Sequence, residues 1–129
     1  MKKFYLFLFI ALAWTISASA QVPAFPGADG YGRYTTGGRG GEVYYVTSLE
    51  DTDTPGTLRY GVTHLSKVTI LFKVSGTIQL NSSLNIRNSN ITIAGQSAPG
   101  DGICLAGYPV SVSGSNVIVR YMRFRMGDW

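Results

Sequence analysis

The chain has 129 residues, of which 45% are hydrophobic and 14% charged, and its formal net charge is +4. It contains no run of basic residues and no RNA-binding motif, so nucleic acid is excluded as an expected partner. A single cysteine, Cys104, rules out an internal disulfide. Because Cys104 lies in an apolar stretch, it is predicted to be a buried thiol that packs as a small hydrophobic side chain.

Residues 1–20 have the pattern of a secretory signal peptide. Two lysines precede an apolar run at 4–16, and the small side chains of Ala18 and Ala20 predict cleavage before Gln21. The run is shorter than the roughly 20 apolar residues that span a bilayer, so the sequence predicts a secreted protein, extracellular or periplasmic, without a membrane anchor. Removing the two lysines from the 11 basic residues leaves nine against seven acidic ones, a net charge of +2. That charge suits an acidic polysaccharide as partner but does not establish one.

Only the segment 54–65 has the periodicity of a helix, and the helix is short and amphipathic. Thr54 is predicted as its N-cap and Pro55 as its first helical position. The only histidine, His64, is predicted to lie at the surface near the helix end without a catalytic role, since no acid or cysteine stands at a useful spacing. The apolar stripe consists of Leu58, Val62 and Leu65.

The rest of the chain is typical of short strands separated by Gly, Asn, Ser and Pro. Each predicted strand has only about three to seven residues, which is too short for a sandwich of ordinary strands. The predicted strands are 42–47, 68–74, 77–80, 84–86, 90–94, 103–106, 110–112 and a final run that begins at 116.

Two of these strand groups repeat with a fixed offset. The segment 84–93 is followed by a similar segment 26 positions later, so Leu84 corresponds to Val110 and Asn90 to Asn116. Periods in the twenties indicate a solenoid, and the pattern of leucine-rich repeats is absent. Short alternating strands with Asn at the corners favour the coils of a parallel β-helix, in which the two asparagines would stack. The predicted helix would then cap the starting end.

The final run changes its alternation part-way, although a continuous strand keeps one phase. The change at Arg120 and Tyr121 therefore predicts a sharp corner between two strands of one coil. Arg120, Arg123 and Arg125 would all point outward. The predicted inward positions are first Val117 and Val119, and then Met122, Phe124 and Met126.

Several segments resemble one known family, in order and over nearly all of the chain after residue 20. They are AFPGADGYGR with TGGRGG (24–33 and 36–41), PGTLRY (55–60), IAGQSAPGDG (93–102) and the segment 116–128. They are similar to the opening of bacterial pectate lyases of polysaccharide lyase family one. The resemblance implies an all-β fold, a right-handed single-stranded parallel β-helix with a short N-terminal capping helix.

The resemblance also implies a chemistry. Such proteins are exported, bind polygalacturonate in a groove along one parallel sheet and cleave it by β-elimination. Calcium bridges the uronate carboxylate to aspartates and makes the C5 proton acidic, and an arginine removes that proton. The implied partner is an acidic polysaccharide, pectin or polygalacturonate, and the implied full-length protein is a monomer.

The residues of that chemistry are expected beyond Trp129. Residues 21–129 are thus interpreted as the N-terminal portion of the β-helix, cut before the catalytic coils, and predicted to be inactive alone. No catalytic residue is assigned within the chain. Arg125 is a candidate substrate-binding residue, because it points outward. Asp128 is a candidate metal residue that borders the expected calcium loop.

Two further motifs have structural interpretations. The glycine-rich segment 37–41 lacks the Lys-Ser/Thr ending of a phosphate loop and is predicted to be a tight turn that leads into the first strand. Glu50, Asp51 and Asp53 lack the glycine and terminal glutamate of a calcium hand and are predicted to form a solvated loop. Two other functions stay open: a β-helical glycoside hydrolase, which would need close-set aspartates, and a β-helical adhesin or carbohydrate-binding protein without catalysis.

Overall fold

The computed structural model describes residues 20–127; the predicted signal segment and Asp128 lie outside them, apart from Ala20. Nine strands and one α-helix follow a 3-10 helix at Tyr31–Tyr34, and a second 3-10 helix spans Gly95–Ser97. The α-helix, α1, is Leu58–His64. The strands are β1 (Glu42–Val46), β2 (Val68–Phe72), β3 (Gly76–Gln79), β4 (Leu84–Ile86), β5 (Ile91–Ala94), β6 (Ile103–Ala106), β7 (Val110–Val112), β8 (Val117–Arg120) and β9 (Met122–Arg125).

The strands form three parallel sheets, and each coil of the chain contributes one strand to a sheet. Sheet A has the order β1-β2-β5-β8, sheet B the order β3-β6-β9 and sheet C the order β4-β7. Every pairing is parallel, which gives the right-handed parallel β-helix that the sequence predicts. The 26-residue offset is confirmed for the two predicted pairs, because Leu84 pairs with Val110 and Ile91 with Val117. The length of a coil is not constant, since Val68 pairs with Ile91, 23 positions later, and Ile103 with Met122, 19 positions later.

The interior is a continuous apolar column that the alternation of each strand creates. In β2, Val68, Ile70 and Phe72 are buried while the residues between them are half-buried. In β5 the same alternation holds from Ile91 to Ile93, and Ala94 is buried as well. Stacking of coils at about 4.8 Å places like side chains directly over one another. Cys104 is 6% exposed and its thiol is free, as predicted.

The corners before sheet A depend on the left-handed backbone conformation. Asn90 and Asn116 have φ of 61° and 57°, and the Nδ2 of Asn116 donates to the Oδ1 of Asn90 at 2.6 Å. The predicted asparagine stack is therefore confirmed. The same corner one coil earlier is Lys67, with φ of 51°. Tyr121, with φ of 56°, forms the predicted corner between β8 and β9.

Helix α1 contributes the cap, but it begins later than predicted. Its N-cap is Thr57, not Thr54, because the Thr57 hydroxyl accepts from the Tyr60 amide and donates to the carbonyl of Thr54. Those bonds hold the preceding residues in a turn. Leu58 and Val62 are almost completely buried, so the single apolar stripe covers the starting end of the interior column.

An ion pair that was not predicted from the sequence stabilises this cap. The Nε and Nη2 of Arg59 donate to the two carboxylate oxygens of Asp51 at 2.8 and 2.7 Å. Asp51 also accepts from the Asn81 amide, in the turn that precedes β4. The prediction of a solvated acidic loop is therefore wrong for Asp51, which is buried because it must receive an arginine and a backbone amide at once.

The cap also encloses the hydroxyl of Tyr44, from β1. It donates to the carbonyl of Thr57 at 2.9 Å and accepts from the Gly56 amide at 2.7 Å. Burial raises the pKa of Tyr44 above its usual value, because the phenolate would lose solvation there. The phenol therefore remains a neutral structural bridge between β1 and the beginning of α1.

Candidate functional site

The outer faces of the three sheets differ in what covers them. Over sheet A lies the segment 24–41, which we call the arm. The amides of Thr36 and Gly37 donate to the Oδ1 of Asn116, and the Gly38 amide donates to the Thr92 hydroxyl. A Cβ on Gly38 would overlap the carbonyl of Val68. The predicted turn at 37–41 thus exists, and its glycines allow the arm to lie directly on the sheet.

Sheet C has a short polar outer face. The outward positions are Asn85 in β4, between the buried Leu84 and Ile86, and Ser111 in β7, and the two are paired across the sheet. The Ser113 hydroxyl donates to the Asn85 amide oxygen at 3.0 Å. These neutral side chains can form hydrogen bonds with sugar hydroxyls, but they supply no charge.

Sheet B has a basic outer face at β9, in the last described coil. Arg123 and Arg125 point away from the interior, as predicted, because Met122 and Phe124, which alternate with them along β9, line the inside. Met126 does not continue this pattern: β9 ends at Arg125, and Met126 is 66% exposed.

The two arginines differ in their partners. The Nη2 of Arg123 donates to the backbone carbonyl of Asp101 at 2.7 Å. In residues 20–127 the ion pairs are Arg59–Asp51 and His64–Asp53, so no carboxylate of that range neutralises Arg125. A planar guanidinium without a carboxylate partner can bind an incoming carboxylate through two parallel hydrogen bonds.

The described residues do not supply a calcium site. Between residues 20 and 127 there is no group of three His, Cys, Asp or Glu side chains that could hold a metal, whereas Ca²⁺ takes 6–8 oxygen ligands. The carboxylate of Asp51 is bound by Arg59, and that of Asp53 lies 2.9 Å from the Nε2 of His64. The candidate metal residue Asp128 lies outside the described residues and stays a prediction.

His64 lies at the surface, as predicted, but it does have an acidic neighbour. Its Nε2 lies 2.9 Å from the Oδ1 of Asp53, and its ring stacks on Tyr60 with centroids 4.6 Å apart. The turn before α1 brings Asp53 back toward the helix end, which the spacing of 11 residues did not suggest. Both side chains are about half exposed, and the pair lies at the cap, far along the chain from the basic face.

Known proteins resemble this chain in sequence and in architecture. The chain is 43% identical over 119 residues to a probable pectate lyase C of Emericella nidulans, and 42% identical over 121 residues to that of Aspergillus fumigatus. These alignments cover 92% and 93% of the chain. The chain is similar to pectate lyases. It spans 28% of the length of these two curated relatives.

Plant proteins are also similar to the chain. Pectate lyase 1 of Hesperocyparis arizonica is 44% identical over 72 residues, which cover 54% of this chain and 19% of that protein. The crystal structure of jun a 1, the major allergen from cedar pollen, matches with a TM-score of 0.63 and 33% identity over 75% of this chain and 29% of that one. The pectate lyase resemblance is thus supported, but these fungal and plant relatives do not support the bacterial origin that the sequence analysis named.

No family model matches the chain. Within residues 20–127, no helix has the length and apolarity needed to cross a membrane.

Proposed function

We propose that the chain forms the first coils of a secreted, calcium-dependent pectate lyase that cleaves polygalacturonate by β-elimination. The observation that carries this proposal is the agreement of a 43% identity over 92% of the chain with a structure made of parallel coils. Residues 1–20 would be the signal peptide, and residues 21–129 the N-terminal portion of a longer β-helix domain. The protein would act as a monomer.

The role proposed for the described coils is support and binding, not proton transfer. They provide the capped start of the β-helix and an arginine, Arg125, that has no carboxylate partner in residues 20–127. Arg125 would bind a uronate carboxylate of the polymer. Calcium would polarise that sugar acid, and its ligands would come mainly from coils that follow Trp129, with Asp128 at their border.

The experiment uses the protein that carries this chain, purified from the culture medium and incubated with polygalacturonate. We expect an ultraviolet-absorbing unsaturated uronate that disappears when calcium is chelated, and an intact mass that begins at Gln21. Arg125→Gln should lower kcat/KM about tenfold, mainly through KM, because one charge-assisted contact to the substrate is lost. Arg87→Gln is the matched control, because this exposed arginine lies outside the basic face.

Each alternative function gives a different result. New reducing ends without the unsaturated product would indicate a glycoside hydrolase. Binding of polygalacturonate without any cleavage would indicate a carbohydrate-binding protein or adhesin. Either result would overturn the proposed lyase, and an unchanged KM in Arg125→Gln would remove Arg125 from the substrate contacts.

A further inference from the structure

A cavity of about 270 Å³ lies between the arm and the outer face of sheet A. Its floor comes from three neighbouring strands of the sheet, its roof from the arm, and one side from the 3-10 helix that follows β5. The polar residues that line it are Thr36, Arg39, Thr69, Thr92, Gln96 and Arg120.

Two positive charges face this cavity without a carboxylate beside them. The Nη2 of Arg39 donates to the backbone carbonyl of Pro23 at 2.8 Å, and the guanidinium of Arg120 lies 3.9 Å from the ring centroid of Phe25. Neutral partners therefore fix the position of both arginines, and neither takes part in an ion pair in residues 20–127. Since each guanidinium carries five N–H donors, most of these donors are available to a ligand.

The threonine hydroxyls of the cavity can also donate hydrogen bonds to a ligand. Thr92 accepts from the Gly38 amide at 2.9 Å, and Thr36 accepts from the Nδ2 of Asn116 at 2.8 Å. Both hydroxyls keep a proton that no described residue accepts. Thr69, which is paired with Thr92 across the sheet, makes no side-chain hydrogen bond to any residue in 20–127. A lining rich in donors and poor in negative charge favours an anion that carries oxygen acceptors.

The size and cover of the cavity limit the ligand further. A volume of about 270 Å³ lies just under the roughly 300–1,000 Å³ of pockets for drug-sized molecules, which suits a single sugar unit. The arm lies across sheet A, and its backbone is fixed to the sheet at Thr36, Gly37 and Gly38. A polymer chain running along the β-helix is therefore obstructed on this face, whereas the cavity has room for one unit.

We infer that this cavity binds one hexuronic acid unit, with its carboxylate between Arg39 and Arg120 and its hydroxyls toward the threonines. The site is distinct from the basic face of sheet B, because Arg120 lies before the Tyr121 corner and Arg125 after it. It does not require the proposed lyase activity. The unit could be a free monosaccharide or the end of a polyuronate chain, since both present the same carboxylate.

The test is isothermal titration calorimetry on the protein that carries this chain, in a chelator so that no calcium-dependent cleavage takes place. The ligands are galacturonate, neutral galactose, trigalacturonate and inorganic sulfate. We expect galacturonate to bind at least about tenfold more tightly than galactose, and Arg39→Gln and Arg120→Gln each to weaken it about tenfold or more. Arg87→Gln removes the same charge elsewhere and should change nothing.

Two further variants distinguish a lost ligand contact from misfolding of the arm. Arg39→Lys keeps the charge and should retain part of the affinity. Thr69→Val removes a hydroxyl that forms no hydrogen bond to another residue in 20–127, and should weaken galacturonate binding about threefold with the melting temperature unchanged. Tighter binding of trigalacturonate than of galacturonate would identify the chain end as the source, and equal binding would identify the monosaccharide.

Three results would overturn the inference: galactose that binds as tightly as galacturonate, sulfate that binds as tightly as galacturonate, or an equal loss in Arg87→Gln and Arg120→Gln. Galacturonate is a monosaccharide and cannot be cleaved, so its binding is measured independently of lyase activity. Absence of galacturonate binding would overturn this inference, whereas absence of the unsaturated product would overturn the proposed lyase.

Discussion

Both ends of the described β-helix direct apolar side chains toward the interior, but these side chains are buried to very different degrees. At the starting end, Leu58 and Val62 of α1 are 1% and 0% exposed. In the last coil, Val119 and Phe124 also face the interior but are 36% and 51% exposed, and they line a cavity of about 300 Å³. Alternation in a strand therefore sets the direction of a side chain, while burial requires a neighbouring element on that side.

The charged residues show the same contrast. At the starting end, Arg59 is bound by both oxygens of Asp51 and contributes to the structure. In the last coil, Arg123 donates to the backbone carbonyl of Asp101, and no carboxylate in residues 20–127 pairs with Arg123 or Arg125. An arginine whose charge is neutralised inside the fold stabilises the cap, whereas one without a carboxylate partner is available to an acidic ligand.

The largest expected effect comes from breaking the ion pair of the cap. Asp51→Ala leaves Arg59 with an uncompensated charge and leaves the Asn81 amide without its acceptor. We expect a loss of about 3–5 kcal/mol in the free energy of unfolding, measured by urea denaturation. Asp53→Ala, which breaks the exposed pair with His64, is the control and should cost less than about 1 kcal/mol. Equal losses in the two variants would show that burial does not set the strength of these pairs.

The next effect compares the two ends directly. Leu58→Ala should cost about 2–5 kcal/mol, because it leaves a cavity under a fully covered side chain. In residues 21–129 expressed alone, Phe124→Ala should cost about 1 kcal/mol or less, because Phe124 is 51% exposed there. Thermal and urea unfolding of both variants test this difference. A loss in Phe124→Ala as large as that in Leu58→Ala would mean that another element covers the last coil in solution.

The smallest expected effect concerns the corner that both ends share. Lys67 has a left-handed backbone at the place where Asn90 and Asn116 stand in the following coils. Lys67→Asn should stabilise the protein by about 0.5–1 kcal/mol, since Asn tolerates this conformation better than Lys does. Lys67→Ala is the matched control, because alanine loses the side chain without gaining that tolerance. A gain in both variants would assign the effect to the lysine charge and not to the backbone.

The sequence predicted the repeat well because it depends on local patterns. The offset between Leu84 and Val110 predicted the register of sheet C, and the phase change at Arg120 and Tyr121 predicted the corner that Tyr121 forms. The outward direction of Arg125 also followed from alternation alone. The asparagine stack could be predicted because the same residue type recurs one period apart, and the left-handed conformation favours it.

Other features could not be read from local patterns. The N-cap was placed three residues early, because Thr54 and Thr57 are chemically alike and only the hydrogen bonds of the folded turn distinguish them. The pairing of Asp51 with Arg59 was missed because the acidic segment looked like an ordinary exposed loop. The arginine cavity was missed because Arg39 and Arg120 are 81 positions apart and meet only when the arm folds over sheet A.

The sequence by itself therefore determined the kind of fold, the coil period, the strand phases and the similarity to pectate lyases, because each depends on residues close in the chain or on a directly readable motif. The tertiary structure alone decided which acids are buried, which arginines have no carboxylate partner in residues 20–127 and which sheet face the arm covers. Those properties are set by contacts between distant segments, such as Gly38 on Thr92 and Asn81 on Asp51. The energy of a charge depends on the groups that surround it after folding, and sequence spacing does not record them.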